Sequence, residues 1–186
     1  MKFLLKTLIS SAILLGSFAQ VNASDLFVVE SNTELKAKDG KVSKLFIGVP
    51  VSVKKDNGST VNVTVKGFQD GLNIYSTTGK ELLIATLDKG FKVSKKAGTE
   101  VELSGTIAKD ALSEDVEAVW DETQELYFEM CSVCHAPPQI AHLSMIEWEA
   151  IYPSMRTRTT LDDDESSDII RFLKSNANNG LIKTEH

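Results

Sequence analysis

Cys131-Ser132-Val133-Cys134-His135 constrains this chain more than any other stretch of it. In a C-x-x-C-H run, two thiols three positions apart can each bond one vinyl group of a single haem. The histidine that follows is then placed to ligate the iron. The run holds both cysteines of the 186-residue sequence. It predicts one covalently bound haem c, with Cys131 and Cys134 as thioether links and His135 as the proximal iron ligand. A disulfide or a thioredoxin-like dithiol would use the same two thiols. Neither accounts for His135, and no βαβ pattern surrounds the motif. A zinc site needs four ligands. Of Cys131, Cys134, His135 and His142, the adjacent Cys134 and His135 are poorly disposed around one tetrahedral ion.

The first residues fit an export signal. Lys2 and Lys6 give a positive start, an apolar stretch follows from about Leu8 to Phe18, and Val21-Asn22-Ala23 offers small residues before Ser24. The apolar stretch falls short of the ~20 residues that span a bilayer. Residues 1–23 are therefore expected to be a cleaved signal peptide, with a retained membrane anchor as the alternative. Export agrees with haem c, which is attached outside the cytoplasm, so a periplasmic location is expected. The formal charge is −6, and loss of Lys2 and Lys6 would make it −8. Such an acidic chain is a poor candidate for binding nucleic acid or anionic lipid.

The pattern changes near residue 110. Val49, Val51 and Val53 alternate with polar or turn residues, as do Val61, Val63 and Val65, and Asp56-Asn57-Gly58-Ser59 between them reads as a hairpin turn. Glu81–Thr86 and Phe91–Val93 read as further strands, with glycines punctuating the segment at short intervals. From Ser113 onward the spacing is helical: Val116, Val119 or Trp120, Thr123, Tyr127 and Met130 lead into Cys131. Ser113 is the expected cap. A second helix is expected around Met145–Met155, interrupted near Pro153. A third is expected from Leu161, capped by Thr160 and finished by Gly180, with Ile169, Ile170, Phe172 and Leu173 on its buried side. The expected fold class is α+β: a small antiparallel, SH3-like β domain over 24–110, then an all-α, class I-like monohaem cytochrome c domain over 111–186. The second domain has a thin core without its cofactor, so it is expected to fold poorly as apo-protein while the β half folds alone.

The distal iron ligand is open among Met155, His142, Met145 and no ligand. Met155 is preferred because it lies twenty residues beyond His135, before the last helix. His142 is the alternative, although seven residues give little chain to reach the opposite face of the haem. Arg158, with Arg156 as its neighbour, is suited to haem propionates, since a guanidinium binds a carboxylate through paired hydrogen bonds. Trp148 and Tyr127 are expected to pack against the porphyrin.

Several stretches taken together resemble one family. They are Val65-Lys66-Gly67-Phe68-Gln69, Ile74 to Lys80, Glu125-Leu126-Tyr127, His135-Ala136-Pro137-Pro138, Ala141-His142-Leu143-Ser144, Glu147-Trp148 and Met155 to Leu161. They resemble the C-terminal, monohaem part of the TorC-type cytochromes, which serve trimethylamine N-oxide reductases. The resemblance implies a single-electron carrier rather than an enzyme. It implies a periplasmic molybdenum reductase of N-oxides or S-oxides as electron acceptor. Longer members carry a membrane-anchored tetrahaem module that oxidises quinol. This chain has one haem motif, so a separate membrane quinol dehydrogenase or multihaem cytochrome is the implied donor. The β segment is expected to dock the reductase or position the haem edge. The competing readings are a haem-based redox sensor or assembly factor for the same system and, more remotely, a haem enzyme with His142 as acid–base group.

Overall fold

Runs of alternating valines need two things to form a closed sheet: neighbours on both edges and a common interior. The computed structural model, which describes residues 25–182, supplies both. The ten strands are β1 (Asp25–Val28), β2 (Thr33–Lys36), β3 (Val42–Leu45), β4 (Pro50–Asp56), β5 (Thr60–Asp70), β6 (Asn73–Tyr75), β7 (Leu83–Leu87), β8 (Ser94–Lys95), β9 (Glu100–Ala108) and β10 (Leu112–Ser113). The expected signal at 1–23 lies outside the described residues. Among the described residues no helix is long and apolar enough to cross a membrane.

β5 organises the sheet. One of its edges pairs with β4 from Val61 to Thr64, then with β6 from Phe68 to Asp70. The other edge pairs with β9 from Thr60 to Phe68. The circuit β5–β6–β7–β3–β2–β9 therefore closes on itself as a six-stranded antiparallel barrel, with β4, β1, β10 and β8 as additions. Closure removes the open sheet edges that would otherwise invite pairing with other chains. Gly67 sits where β5 leaves β4 for β6. A Cβ there would lie 2.5 Å from the Ile74 side chain, so the two strands can meet only at a glycine. The expected hairpin between β4 and β5 is present. Gly58 has φ +90, its N–H donates to Asp56 Oδ1 at 2.8 Å, and the Asn57 N–H donates to the Thr60 carbonyl. Val61, Val63, Val65, Val101, Leu103 and Ile107 fill the interior. Phe91–Val93 is not a strand; the short β8 follows it.

Three α-helices follow: α1 (Val116–Cys131), α2 (Met145–Arg156) and α3 (Asp163–Ser175). Asp115, not Ser113, caps α1, accepting from the N–H groups of Glu117 and Ala118. α2 runs through Pro153 instead of stopping there, and Ser144 with Glu147 closes a capping box at its start. α3 has the same device in Asp162 and Glu165, which displaces the expected Thr160 cap. It ends at Ser175, five residues before Gly180.

These observations correct the expected fold class. The β part is not a small SH3-like unit but a barrel within a ten-stranded sheet. The helical part is not an all-α cytochrome c domain: it has three helices, and its apolar cluster takes Leu82 from the β part into its centre. The physical reason lies at the joint. Arg171 on α3 donates to the Ile47 carbonyl through Nε and Nη2, at 3.1 and 3.0 Å, and to the Leu83 carbonyl through Nη1 at 2.7 Å. Its guanidinium also lies 4.9 Å from the centre of the Phe46 ring. Burial pulls its pKa down to about 10, and nearby Asp168 opposes this, so it stays charged at neutral pH. Next to Ile47, Gly48 has φ +77 and receives the Trp120 ring of α1. A Cβ on Gly48 would stand 2.2 Å from Trp120 Cζ2.

Two substitutions test this joint. Gly48→Ala meets both an unfavourable φ and the Trp120 ring, and should cost about 2 kcal/mol or more in urea unfolding. Arg171→Ala leaves two barrel carbonyls without their charged donor and should cost about 2–3 kcal/mol. Arg171→Lys, which replaces the fork with a single ammonium, should fall between it and the native chain.

Candidate functional site

α1 delivers the motif. Its buried face carries Trp120 and Tyr127, with Val116, Val119, Leu126 and Met130 partly covered, and Cys131 is its last residue. The helix stops because Ser132 caps it: both its N–H and its Oγ–H donate to the Phe128 carbonyl, at 3.2 and 2.6 Å. The turn that follows presents Cys134 and His135 to solvent. The two thiols are free. Cys131 is half-buried, and burial raises its pKa.

His135 is held in one orientation. Its Nδ1 lies 2.9 Å from the Ala136 carbonyl. A carbonyl only accepts, so Nδ1 carries the proton in the neutral ring. The lone pair is then on Nε2, the nitrogen left free for a metal.

Met130, Cys131, Cys134, His135, Met155, Arg158 and Thr159 line one crevice of about 50 Å³. Two thiols, an imidazole, two thioethers and a guanidinium thus meet on one surface, from the end of α1 and the end of α2. This donor set suits haem c: thiols for the vinyl groups, nitrogen and sulfur for iron, a cation for a propionate. The volume is that of one or two water molecules. Among the described residues no group of three His, Cys, Asp or Glu side chains stands ready for a bare metal ion.

The remaining candidates lie elsewhere. His142 ends a short 3-10 turn, Ile140–His142, and is exposed outside the crevice. Met145 is fully buried in the aromatic cluster, with the Ser76 hydroxyl 3.9 Å from its sulfur. Trp148 is fully buried too. Its indole N–H donates to the Ile140 carbonyl at 3.1 Å, and its ring stands edge-on to Tyr127 at 6.5 Å. It backs the wall instead of lining it. The two arginines divide: Arg156 is bonded to Asp163 at the start of α3, whereas Arg158 borders the crevice.

Met130, read from the sequence only as a helix-face residue, and Thr159, read only as part of the Met155 to Leu161 stretch, also line the crevice. Tyr127 and Tyr152 stand close behind. Burial, with a smaller contribution from Cys131, pushes the Tyr127 phenol up to about 12. Its hydroxyl is buried without a hydrogen-bond partner, as is the Trp120 indole N–H. The Tyr152 phenol is also raised, first by burial, with Cys131 again among the causes.

No protein-family model matches the chain, and no solved structure matches it. Curated relatives do. The cytochrome c-type protein TorY of Escherichia coli O157:H7 is 25% identical over 153 residues, 74% of this chain and 42% of the relative. The cytochrome c-type protein TorC of Escherichia coli K12 is 24% identical over 143 residues, 68% of this chain and 37% of the relative. TorY of Haemophilus influenzae is 25% identical over 138 residues, 66% of this chain and 38% of the relative. The chain thus spans about two fifths of the length of the curated relatives it matches. Over most of its own length it is similar to cytochrome c-type proteins named TorC and TorY, the kind its motifs resemble.

Proposed function

We propose that this protein is an exported monohaem c-type cytochrome that carries single electrons in an N-oxide or S-oxide reductase system. The observation that carries the reading is the crevice, where Cys131, Cys134, His135, Met155 and Arg158 converge. In this reading Cys131 and Cys134 bind the haem covalently, His135 Nε2 is one axial ligand and the Met155 sulfur the other. Arg158 binds a propionate. When bound, haem supplies a one-electron iron couple, and a thioether ligand raises its potential relative to a second histidine. The aromatic wall of Tyr127, Trp148 and Phe172 excludes water from one side of the site.

The relatives' names support a place in the Tor system. The proposed acceptor is a periplasmic molybdenum reductase of trimethylamine N-oxide or a sulfoxide. The proposed donor is a membrane quinol dehydrogenase or a multihaem cytochrome. Each substrate turnover consumes two such electrons, so encounters must be brief, on an interface typical of redox partners, below ~1,200 Å². α1 supports steering of that encounter. Its charged residues are Glu117, Asp121, Glu122, Glu125 and Glu129, all acidic and all exposed, and they lead to exposed Phe128 and Val133 beside the crevice. A partner with a basic rim around an apolar centre would be attracted to this face. The division of labour falls near residue 110, with the helical part holding the haem and the barrel docking the reductase or positioning the haem edge.

Two experiments test this reading. In the haem-loaded protein, Met155→Ala should change the ferric absorption spectrum, lower the reduction potential and open the iron to imidazole, whereas His142→Ala should do none of these. An unchanged spectrum in Met155→Ala would falsify the axial assignment. Separately, stopped-flow mixing of the reduced protein with a molybdenum N-oxide reductase and trimethylamine N-oxide should oxidise the haem. The rate should fall at least about tenfold between 50 and 500 mM salt. No oxidation above the enzyme-free rate would remove the proposed acceptor.

A further inference from the structure

We propose that Tyr152 is the positioning residue for the Met155 thioether, acting through a buried hydrogen bond to Ser166 that ties the end of α2 to α3. The inference rests on the reading of Met155 as an axial ligand.

Met155 stands at a weakened point of its helix. Pro153, two residues earlier, has no N–H, so the i to i−4 ladder is interrupted at the Glu149 carbonyl. The turn beyond it tightens. The Arg158 N–H donates to the Met155 carbonyl and the Thr159 N–H to the Arg156 carbonyl, both at 3.0 Å and both three residues back. The Thr157 N–H reaches the Pro153 carbonyl only at 3.4 Å. The ladder that holds the turn carrying the sulfur to the rest of α2 thus lacks one bond, at Pro153, and the turn beyond Met155 is 3-10-like, so contacts from the side add to what fixes its position.

Tyr152 is the residue just before the break. Its side chain is buried, and its hydroxyl lies 3.1 Å from both the carbonyl and the hydroxyl of Ser166 on α3. The phenol proton goes to the carbonyl, which accepts only, and leaves the serine hydroxyl to donate back. Ser166 is itself buried. The other link between these ends, Arg156 with Asp163, has its carboxylate almost fully in solvent and is correspondingly weak. α3 is in turn locked to the barrel by Arg171. The chain of reference from barrel to sulfur thus runs Ile47 and Leu83, Arg171, α3, Ser166, Tyr152, Met155. A thioether bonds iron weakly enough that a loss of registration is read directly in its displacement by another ligand.

The test uses the haem-loaded, full-length protein and imidazole as the probe. Tyr152→Phe keeps the ring and removes the hydroxyl, and should raise the imidazole affinity of the ferric protein about tenfold while lowering the reduction potential. Ser166→Ala removes only the side-chain partner. It should give a smaller rise, about threefold, and serves if Tyr152→Phe does not hold its fold. Asp163→Asn, which breaks the exposed pair, should stay within about twofold of the native protein. A lower melting temperature in Tyr152→Phe with unchanged imidazole affinity and potential would overturn the proposal and leave the bond a merely structural one. Met155→Ala separates the two levels. If it binds imidazole no more tightly than the native protein, the axial reading itself fails. If it does bind more tightly and both Tyr152→Phe and Ser166→Ala do not, the positioning role alone fails.

Discussion

α1 and α3 are tied to the β part at two adjacent residues of the β3–β4 turn, Ile47 and Gly48. The Ile47 carbonyl accepts two of the three hydrogen bonds from Arg171, and Gly48 leaves the space that the Trp120 ring occupies. One residue thereby holds α3 and the next holds α1. The contacts are of different kinds, one polar and directional, the other steric. Together they fix both the height and the rotation of the helices against the sheet. The helices could not form this arrangement by themselves, because the cluster between them is completed by Leu82, with Phe27 and Ile47 packed at its border. A three-helix unit of this length has little apolar surface of its own. The β part supplies the missing wall.

What the sequence made legible was local. The Asp56–Ser59 turn and the helical spacing into Cys131 both depend on residues within a few positions of one another, and each is found where its pattern points. What it hid was long-range. The pairing of β5 with β9 joins residues some forty positions apart, and its register leaves no periodic trace that differs from that of an open sheet. Without it the β part reads as a small module. The role of Arg171 was hidden for the same reason: an arginine on the border of an apolar helix face looks like a solvated charge until two barrel carbonyls are placed before it. The helix starts slipped by two residues at α1 and α3 because each region offers several capping residues in a row, and only the folded backbone selects among them.

The sequence left several distal candidates open, and of these Met155 is the one that borders the crevice. His142 and Met145 are nearer to His135 along the chain than Met155, yet neither borders the cavity that Cys131 and His135 share. Met145 is drawn into the core because α2 begins there and turns that face toward Tyr127 and Phe172. His142 is turned outward by the short 3-10 segment, whose carbonyls are engaged by the Trp148 indole and the Asn178 amide. Ten residues after Met145, Met155 has rotated to the face that meets the end of α1.

The two walls of the crevice are held very differently. On the Met155 side, Tyr152 bonds to Ser166, Lys174 pairs with Glu149, and α3 is fastened to the barrel. On the other side, among the described residues no backbone hydrogen bond ties residues 133–138 to any other element, and the His135 contact with Ala136 is local. The wall that carries Met155 is thus set by contacts between elements, whereas the position of Cys134 and His135 is set by the end of α1 and its local turn alone.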